Sequence, residues 1–221
     1  MNHNKSSDNS SFADFVSDRI MEKIRLGIYQ QGDRLVEDTL AKEFNISRTP
    51  VREALGRLLS RGLLEVSGSR AITVKRLDRQ QIVELYEMRA VIEGASARLA
   101  AKHSSRAEIY AIREIIENSN PQGQTSKFYA QKNIELHQAI VAAAHNHYLQ
   151  QVSRVLNESL WLLAETTFAL EDRHNTAYAE HLAIVEALEQ GDQDAAETAA
   201  RNHIELSLRA RLSIGSKPFQ N

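Results

Sequence analysis

Apolar residues recur at helical spacing along most of this chain, above all after Leu77, where long alanine-rich segments follow one another. Only three prolines and nine glycines occur in 221 residues, which favours helices over a turn-rich β architecture. The segment NSNPQGQTS is a loop, and Gly191 followed by Asp192 indicates the end of one helix and the start of the next. The second half is therefore predicted to be an all-α bundle of six helices, near 78–103, 105–119, 124–145, 147–171, 175–190 and 192–213.

The first third of the chain has a different pattern. FADFVSDRIMEKIRL at 12–26 and VEDTLAKEF at 36–44 predict two helices. A third helix follows, where Ser47 or Thr49 can serve as its N-cap and Pro50 is tolerated in its first turn. It is followed by LLEVSGSRAITV, whose alternation around Ser-Gly-Ser predicts a short hairpin. Three helices and a basic hairpin are typical of a winged helix-turn-helix domain, whose third helix enters the major groove of DNA.

The predicted fold class is mainly α, in four segments along the chain. We expect a flexible tail at 1–11, a winged-helix DNA-binding domain at 12–76, a helical domain at 77–215 and a second tail at 216–221. The chain has no cysteine, no apolar run long enough to span a membrane and no signal-peptide core at its N-terminus. We therefore expect a cytoplasmic protein with no membrane partner.

Positive charge is concentrated on the predicted third helix and hairpin. The formal net charge of the chain is −2, yet residues 47–76 hold seven basic residues against Glu53 and Glu65, which gives +5. Arginines on a lone amphipathic helix usually form only a solvated face. The preceding short helix, the basic hairpin and the local charge together favour DNA binding over that interpretation.

Four residues at the start of the third helix are the candidate DNA contacts. Arg48 and Arg52 lie one turn apart, and each guanidinium can donate two hydrogen bonds to a guanine. Ser47 and Thr49 can contact phosphate or a thymine methyl group. Arg57 and Arg61 lie farther from the helix start, so we interpret them as backbone contacts or partners in intramolecular ion pairs.

The segment QGDRLVEDTLAKEFNISRTPVREALGRLLSRGLLEV resembles the winged-helix domain of GntR-family transcription regulators. The resemblance implies that Arg48 and Arg52 read bases, with Arg34, Ser47 and Thr49 contacting the DNA backbone. The wing of that family commonly has an Arg-Gly-Ala tip, whereas this chain has Ser-Gly-Ser-Arg-Ala. The wing contacts implied here are therefore Gly68 and Arg70.

Three helices of the predicted bundle each carry a histidine on the inward, apolar side. Asn133 and His137 share one helix face at i, i+4, and His181 and His203 lie on the apolar stripes of the last two helices. A single inward histidine is usually a satisfied core residue. Burying three imidazoles is costly unless each has a partner, and a shared divalent cation supplies one. The pattern predicts a metal site for zinc, with nickel or manganese as alternatives.

The segments MRAVIEGASARLAA, N-x-x-x-H at 133–137 and EHLAIVEALEQGDQDAAETAARNHI resemble the FCD ligand-binding domain of the FadR-type GntR branch. The count of six helices predicted here resembles that of its VanR-like subgroup. The resemblance implies a metal held by residues 133, 137, 181 and 203, with Asn133 where aspartate is usual. A neutral amide leaves the site more positive, which favours an anionic effector. Arg89 lies on the inward stripe of its helix and either grips an effector carboxylate or pairs with Glu93 at i+4.

We therefore predict a homodimeric transcription regulator, by default a repressor, that binds a double-stranded operator and responds to a small organic acid bound beside a metal. It is not predicted to be an enzyme. Two alternatives stay open at this point. Three histidines around an open metal position can support hydrolysis, although no paired general base is evident. The helical domain can also serve only for dimerisation, with a vestigial ligand site.

Overall fold

The computed structural model describes residues 4–68, 70–120, 124–163 and 166–214, and the predicted tail at 216–221 lies outside them. The described part of the chain is helical apart from one small sheet, so the predicted fold class is confirmed. It divides into two compact units. One comprises residues 1–78 and 157–164, and the other comprises the rest of the chain.

The first unit is a winged helix-turn-helix. Its elements in chain order are α1 (Asn4–Arg25), β1 (Arg34–Leu35), α2 (Glu37–Phe44), α3 (Arg48–Ser60), β2 (Leu64–Val66) and β3 (Ile72–Val74). The helix α1 begins at Asn4, eight residues before the predicted start, so most of the predicted tail at 1–11 is helical. The strands form an antiparallel sheet in the order β1-β3-β2, with Leu64 opposite Val74 and Arg34 opposite Thr73. The hairpin β2–β3 is the predicted wing.

The apolar stripe of α3 packs on α1. The shared core includes Val51, Ala54, Leu55 and Leu58 of α3 and Val16, Ile20 and Ile24 of α1. Between α2 and α3 the chain turns through Asn45, whose left-handed backbone conformation (φ 54°, ψ 47°) ends α2. This turn lets the first residues of α3 lie on the outside of the unit.

A distant segment completes the core of the first unit, which corrects the predicted domain division. Leu162 is 3% exposed within that core, and Trp161 packs against the same cluster. Glu158 forms an ion pair with Arg61, from Oε1 to Nη2 at 2.5 Å, and the Gln31 side chain donates to the Leu162 carbonyl oxygen. The predicted end of the helix 147–171 is also wrong, because residues after 160 contribute to the core of the first unit. The helix ends at Leu160, and the chain turns so that Leu162 is buried, because apolar burial stabilises more than further helical turns of a surface segment.

The second unit contains the six predicted helices of the bundle. They are α4 (Arg79–His103), α5 (Arg106–Glu117), α6 (Ser126–Ala143), α7 (His147–Leu160), α8 (Arg173–Gln190) and α9 (Gln193–Ile214), with a 3₁₀ turn at Thr167–Ala169. The residues of α7 from 157 onward belong to the first unit. Ser105 caps α5 with a full capping box, and Gly191 ends α8 in the left-handed conformation, as its sequence position predicted. The helix α9 packs along α4 and α8, which brings the inward faces of α4, α6, α8 and α9 together.

Among the described residues, no helix is both long and apolar enough to cross a membrane.

Candidate nucleic-acid interface and candidate metal centre

The predicted DNA contacts at the start of α3 lie together on one exposed surface. Ser47 occupies the N-cap position of α3, and Arg48, Thr49 and Arg52 follow within the first turn and a half. The side chains of Arg48 and Arg52 are 67% and 72% exposed. Pro50 is buried in the first turn, where its missing N–H leaves no helical hydrogen bond unmade. The four predicted residues are therefore available to a ligand approaching this end of α3.

Both predicted base-reading arginines are held by carboxylates of α2, which the sequence reasoning did not foresee. Arg48 forms an ion pair with Asp38, with its Nε 2.6 Å from Oδ1. Arg52 donates through Nη2 and Nε to the carboxylate of Glu37, at 2.8 Å and 3.1 Å. Hydrogen bonds from Arg52 are the main cause that lowers the pKa of Glu37; burial opposes them, and the charges of Arg52 and Arg48 lower the pKa further. The sequence did contain one indication of these pairs: Glu37 and Asp38 are the first two residues of α2, the helix that precedes α3 in a helix-turn-helix.

The other predicted DNA contacts occupy β1 and the wing. Arg34 is exposed in β1, at the edge of the sheet. Gly68 and Arg70 are exposed in the turn between β2 and β3, where Arg70 has a left-handed backbone (φ 57°). The turn is closed by the Arg70 amide, which donates to the Ser67 carbonyl at 2.8 Å. Residue 69 lies outside the described part of the chain.

Arg57 and Arg61, the two arginines of this segment that were not predicted to read bases, form intramolecular ion pairs. Arg57 pairs with Asp14 of α1, and Arg61 pairs with Glu158. Intramolecular pairing was one of the two interpretations of these arginines, and the structure shows it for both.

In the second unit, His137 of α6, His181 of α8 and His203 of α9 converge. The Nε2 atom of His203 lies 3.2 Å from Nε2 of His137 and 3.2 Å from Nε2 of His181. His181 and His203 are 5% and 2% exposed, and the His137 side chain is 11% exposed. The three histidines each offer one ligand atom, and these three atoms lie within 4.8 Å of one another. The sequence analysis correctly predicted that these three histidines lie close together.

Two of the three imidazoles are oriented by carboxylates behind them. His203 donates through Nδ1 to Oε2 of Glu180 at 2.7 Å, and Nδ1 of His137 contacts Oε2 of Glu93. Each carboxylate is in turn paired with an arginine. Arg89 lies 2.7 Å from Glu93, and Arg173 lies 2.7 Å from Glu180. A carboxylate on Nδ1 fixes the tautomer in which Nε2 carries the free lone pair.

Burial decides the protonation of this cluster. Burial, then the charge of the neighbouring histidines and of Arg173, lowers the pKa of His181 and His203 well below the usual imidazole range. Burial opposes ionisation of Glu93, but the charges of Arg89 and His137 outweigh it and hold the pKa of that carboxyl well below its usual value. At neutral pH His181 and His203 are thus neutral imidazoles, and Glu93 is ionised.

This donor set fits a divalent transition metal. With Nδ1 of His137 and of His203 each facing a carboxylate, the two Nε2 atoms present lone pairs to each other across 3.2 Å, and a cation between them removes that repulsion. Imidazole nitrogen with a carboxylate behind it is the usual ligand arrangement for zinc, and it also suits nickel. Three protein ligands leave positions for water or another ligand.

Asn133 and Arg89 have different surroundings. Asn133 lies one turn before His137 on α6 and lines, with His181, a cavity of about 10 Å³, which is room for a single water. Arg89 is buried and donates through Nε to Glu93 at 2.9 Å, with its guanidinium 4.9 Å from the centroid of the Tyr86 ring. The structure thus shows the Arg89–Glu93 pair, which the sequence left open as the alternative to an effector contact.

The small cavity beside His181 is walled by α6, α8 and the 3₁₀ turn. Tyr129 stacks on His174 at 5.1 Å between ring centroids, and Tyr129 also contacts Phe168. The full lining is Ser119, Tyr129, Lys132, Asn133, Leu136, Phe168, His174, Ala177, Tyr178 and His181. Polar and aromatic groups therefore converge on one side of the histidine cluster.

A winged helix with exposed arginines, joined to a helical unit with a ligand-type polar cluster, defines a DNA-binding transcription regulator with a sensor domain. Comparison with known proteins agrees. Residues 12–74 match the gntR family of bacterial regulatory proteins, and residues 84–206 match the FCD domain. The chain belongs to the GntR family of transcription regulators, in the branch that carries an FCD effector-binding domain.

Individual relatives cover most of the chain. A protein of Paenarthrobacter nicotinovorans with the name "Probable D-xylose utilization operon transcriptional repressor" is 31% identical over 91% of this chain and 89% of its own length. The repressor NanR of Escherichia coli is 23% identical over 87% of this chain and 81% of its own. Among solved structures, McbR/YncC of E. coli has a TM-score of 0.74 at 19% identity, covering 93% of this chain and 99% of that one. A GntR regulator from Rhodococcus sp. RHA1 has a TM-score of 0.73 at 20% identity, covering 94% and 99%. These relatives are regulators and not enzymes, so the hydrolase alternative is not supported.

Proposed function

We propose that this regulator is a homodimeric repressor that binds a two-fold symmetric operator and is controlled by a small organic acid bound beside a metal ion. The observation that carries the metal-dependent part is the convergence of three imidazole Nε2 atoms, two of them with carboxylates behind them. The names of two relatives, both repressors, support repression over activation. Because its ligand is chromosomal DNA, the protein acts in the cytoplasm.

On the DNA side, Arg48 and Arg52 read bases in the major groove, each through the two hydrogen bonds that a guanidinium can donate to guanine. Ser47, Thr49 and Arg34 contact the DNA backbone, and Gly68 and Arg70 contact the groove or phosphates beside the wing. The exposure of both arginines at the start of α3 supports these roles. Recognition by a dimer doubles the readout across a two-fold operator.

On the sensor side, His137, His181 and His203 hold the metal, with Asn133 as a weaker fourth ligand on the same helix as His137. Zinc is the first candidate, and nickel and manganese are the alternatives. A bound divalent cation supplies positive charge and open coordination positions that attract a carboxylate.

The effector binds in the cavity beside His181, where Lys132 and Asn133 are the polar groups on α6. The present volume of about 10 Å³ is too small for an organic acid, so binding requires the side chains around it to move apart. Arg89 is the further predicted effector contact. Its guanidinium is bonded to Glu93, so gripping an effector carboxylate requires exchange of one carboxylate for another.

Exposed apolar residues on α7 support the dimer. Tyr148 is 79% exposed and Val152 is 42% exposed, one turn apart on the same helix face. A second copy of the chain that covers this face would remove both side chains from water. Analytical ultracentrifugation of the full chain and of a Tyr148→Asp, Val152→Asp variant tests this, and an unchanged sedimentation coefficient excludes α7 as the interface.

The metal test begins with full-length protein stripped by a chelator. Titration calorimetry with zinc, then nickel, is expected to give one site per chain in the wild type and in a His147→Ala control, whose histidine is exposed. His203→Ala is expected to lose binding, with circular dichroism as the check on folding. Wild-type protein that binds neither metal would support the vestigial-site alternative and contradict the proposal.

For DNA, Arg52→Ala is expected to abolish preference for the operator over scrambled duplex.

A further inference from the structure

The two exposed arginines at the start of α3 are each paired with a carboxylate from the start of α2. Arg48 forms an ion pair with Asp38 through Nε, and Arg52 donates hydrogen bonds through Nε and Nη2 to Glu37. A surface groove lined by Asp38, Lys42, Asn45, Ser47 and Arg48 continues the same face. The carboxylates therefore lie on the side of the unit that the proposed function assigns to DNA.

The geometry of the Arg52–Glu37 pair leaves one edge of the guanidinium free for a base. A guanidinium carries five N–H groups. Glu37 takes the side edge, formed by Nε and one N–H of Nη2. The terminal edge, formed by Nη1 and the other N–H of Nη2, is the fork that can face guanine O6 and N7. Bonding of the side edge fixes the plane of the guanidinium, so the terminal edge has a defined direction.

The carboxylates also affect binding to phosphate. Two unpaired arginines on an exposed helix attract any DNA backbone, whatever its sequence. Glu37 and Asp38 neutralise that attraction locally, and they would lie close to phosphates in a misregistered complex. Such a repulsive element lowers affinity for the wrong sequences more than for the right one.

We propose that Glu37 and Asp38 are specificity-determining positioning residues, which hold the side edges of Arg52 and Arg48 so that their terminal edges read bases, and which disfavour contacts of those arginines with phosphate. The proposal rests on the base-reading roles assigned above to Arg48 and Arg52. It adds two acidic residues of the helix before the recognition helix to the set that decides which DNA is bound.

The test uses the full-length protein and an operator selected by that protein from random duplexes. The measured quantity is the ratio of dissociation constants for scrambled and selected duplex, at one fixed salt concentration. Glu37→Gln and Asp38→Asn are each expected to lower this ratio about tenfold or more, the discrimination that one bidentate base contact provides. The salt dependence of scrambled-duplex binding should also steepen, by about 0.9 in the log–log slope per released arginine.

The matched control is Asp14→Asn. It removes the same charge from the same unit and releases Arg57 of the same helix, but away from the helix start. Its ratio is expected to stay within twofold of the wild type. If Glu37→Gln and Asp38→Asn also stay within twofold, or if they raise the ratio, the proposal is wrong. The two carboxylates are tested separately, so a folding defect in one variant leaves the other to decide.

A double-mutant cycle distinguishes positioning from a general surface effect. If Glu37 acts through Arg52, Glu37→Gln should change the ratio less than twofold in an Arg52→Ala background. Full additivity of the two changes would overturn the positioning role. If Arg52→Ala alone keeps the wild-type ratio, the base-reading assignment itself fails. If Arg52→Ala loses the preference and Glu37→Gln keeps it, only the role of Glu37 fails.

Discussion

Mild acid should destabilise the metal-free sensor domain through two buried histidines. The folded-state pKa of His181 and of His203 lies well below the unfolded value of about 6.5, because burial disfavours the charged imidazolium. The unfolded chain therefore takes up protons near pH 6 that the folded chain does not. Stability contributed by these groups is present above the unfolded pKa and is lost as the pH falls below it.

The magnitude follows from proton linkage. A group that titrates at 6.5 only in the unfolded state costs about 1.4 kcal/mol between pH 7.5 and pH 5.5. Two such groups cost about 3 kcal/mol, a large part of the ~5–15 kcal/mol that stabilises a typical domain. Glu93 adds nothing in this window, because its depressed pKa makes stability fall only below the ordinary carboxyl value.

The assay is urea unfolding of chelator-treated protein at a series of pH values, followed by circular dichroism of the helical signal. His181→Gln should remove about half of the pH dependence, whereas His147→Gln, an exposed histidine, should leave it unchanged. Zinc added in excess at pH 7.5 should raise stability by about 2.7 kcal/mol at one hundred times its dissociation constant. Stability that is flat from pH 7.5 to 5.5 in the metal-free protein would refute the assignment of neutral, buried imidazoles.

Three further predictions concern residues described above. Leu162→Ala should lower the stability of the first unit by about 2–5 kcal/mol, measured by hydrogen exchange of α3 amides; a loss under about 0.5 kcal/mol would contradict its place in that core. Glu180→Gln should weaken zinc binding about 10–100-fold in calorimetry, because His203 loses the carboxylate on Nδ1; unchanged affinity would show that Glu180 serves only Arg173. Asn133→Asp should strengthen zinc binding by about tenfold, since a carboxylate adds charge to the ligand set, and equal affinities would exclude position 133 from it.

Local pattern was sufficient for much of this molecule. Among the described residues, helical periodicity predicted each α-helix but not the 3₁₀ turn, and the inward positions of His137, His181 and His203 predicted a cluster that the structure contains. Asn45 and Gly191 have the left-handed conformation that ends a helix, and the glycine was identified from sequence.

What the sequence did not reveal depends on partners distant in the chain. Arg173 and Glu180 lie seven residues apart, yet their role follows only once α9 brings His203 beside them. The carboxylates that hold Arg48 and Arg52 come from another helix, so no i, i+4 pattern indicates them. The end of α7 at Leu160 was missed because residues 161–171 keep helical character, while the burial of Leu162 in the first unit overrides it.

The contribution of residues 157–164 to the first unit has a consequence for the order in which the chain folds. Gln31 and Leu162 are 131 residues apart, and Arg61 and Glu158 are 97 apart, so these contacts close long loops. During synthesis at about 5–20 residues per second, the 84 residues between 78 and 162 take about 4–17 s to be added. For that time the nascent DNA reader lacks Leu162 in its core. The chain therefore acquires its complete DNA-binding unit only after much of its sensor has been synthesised.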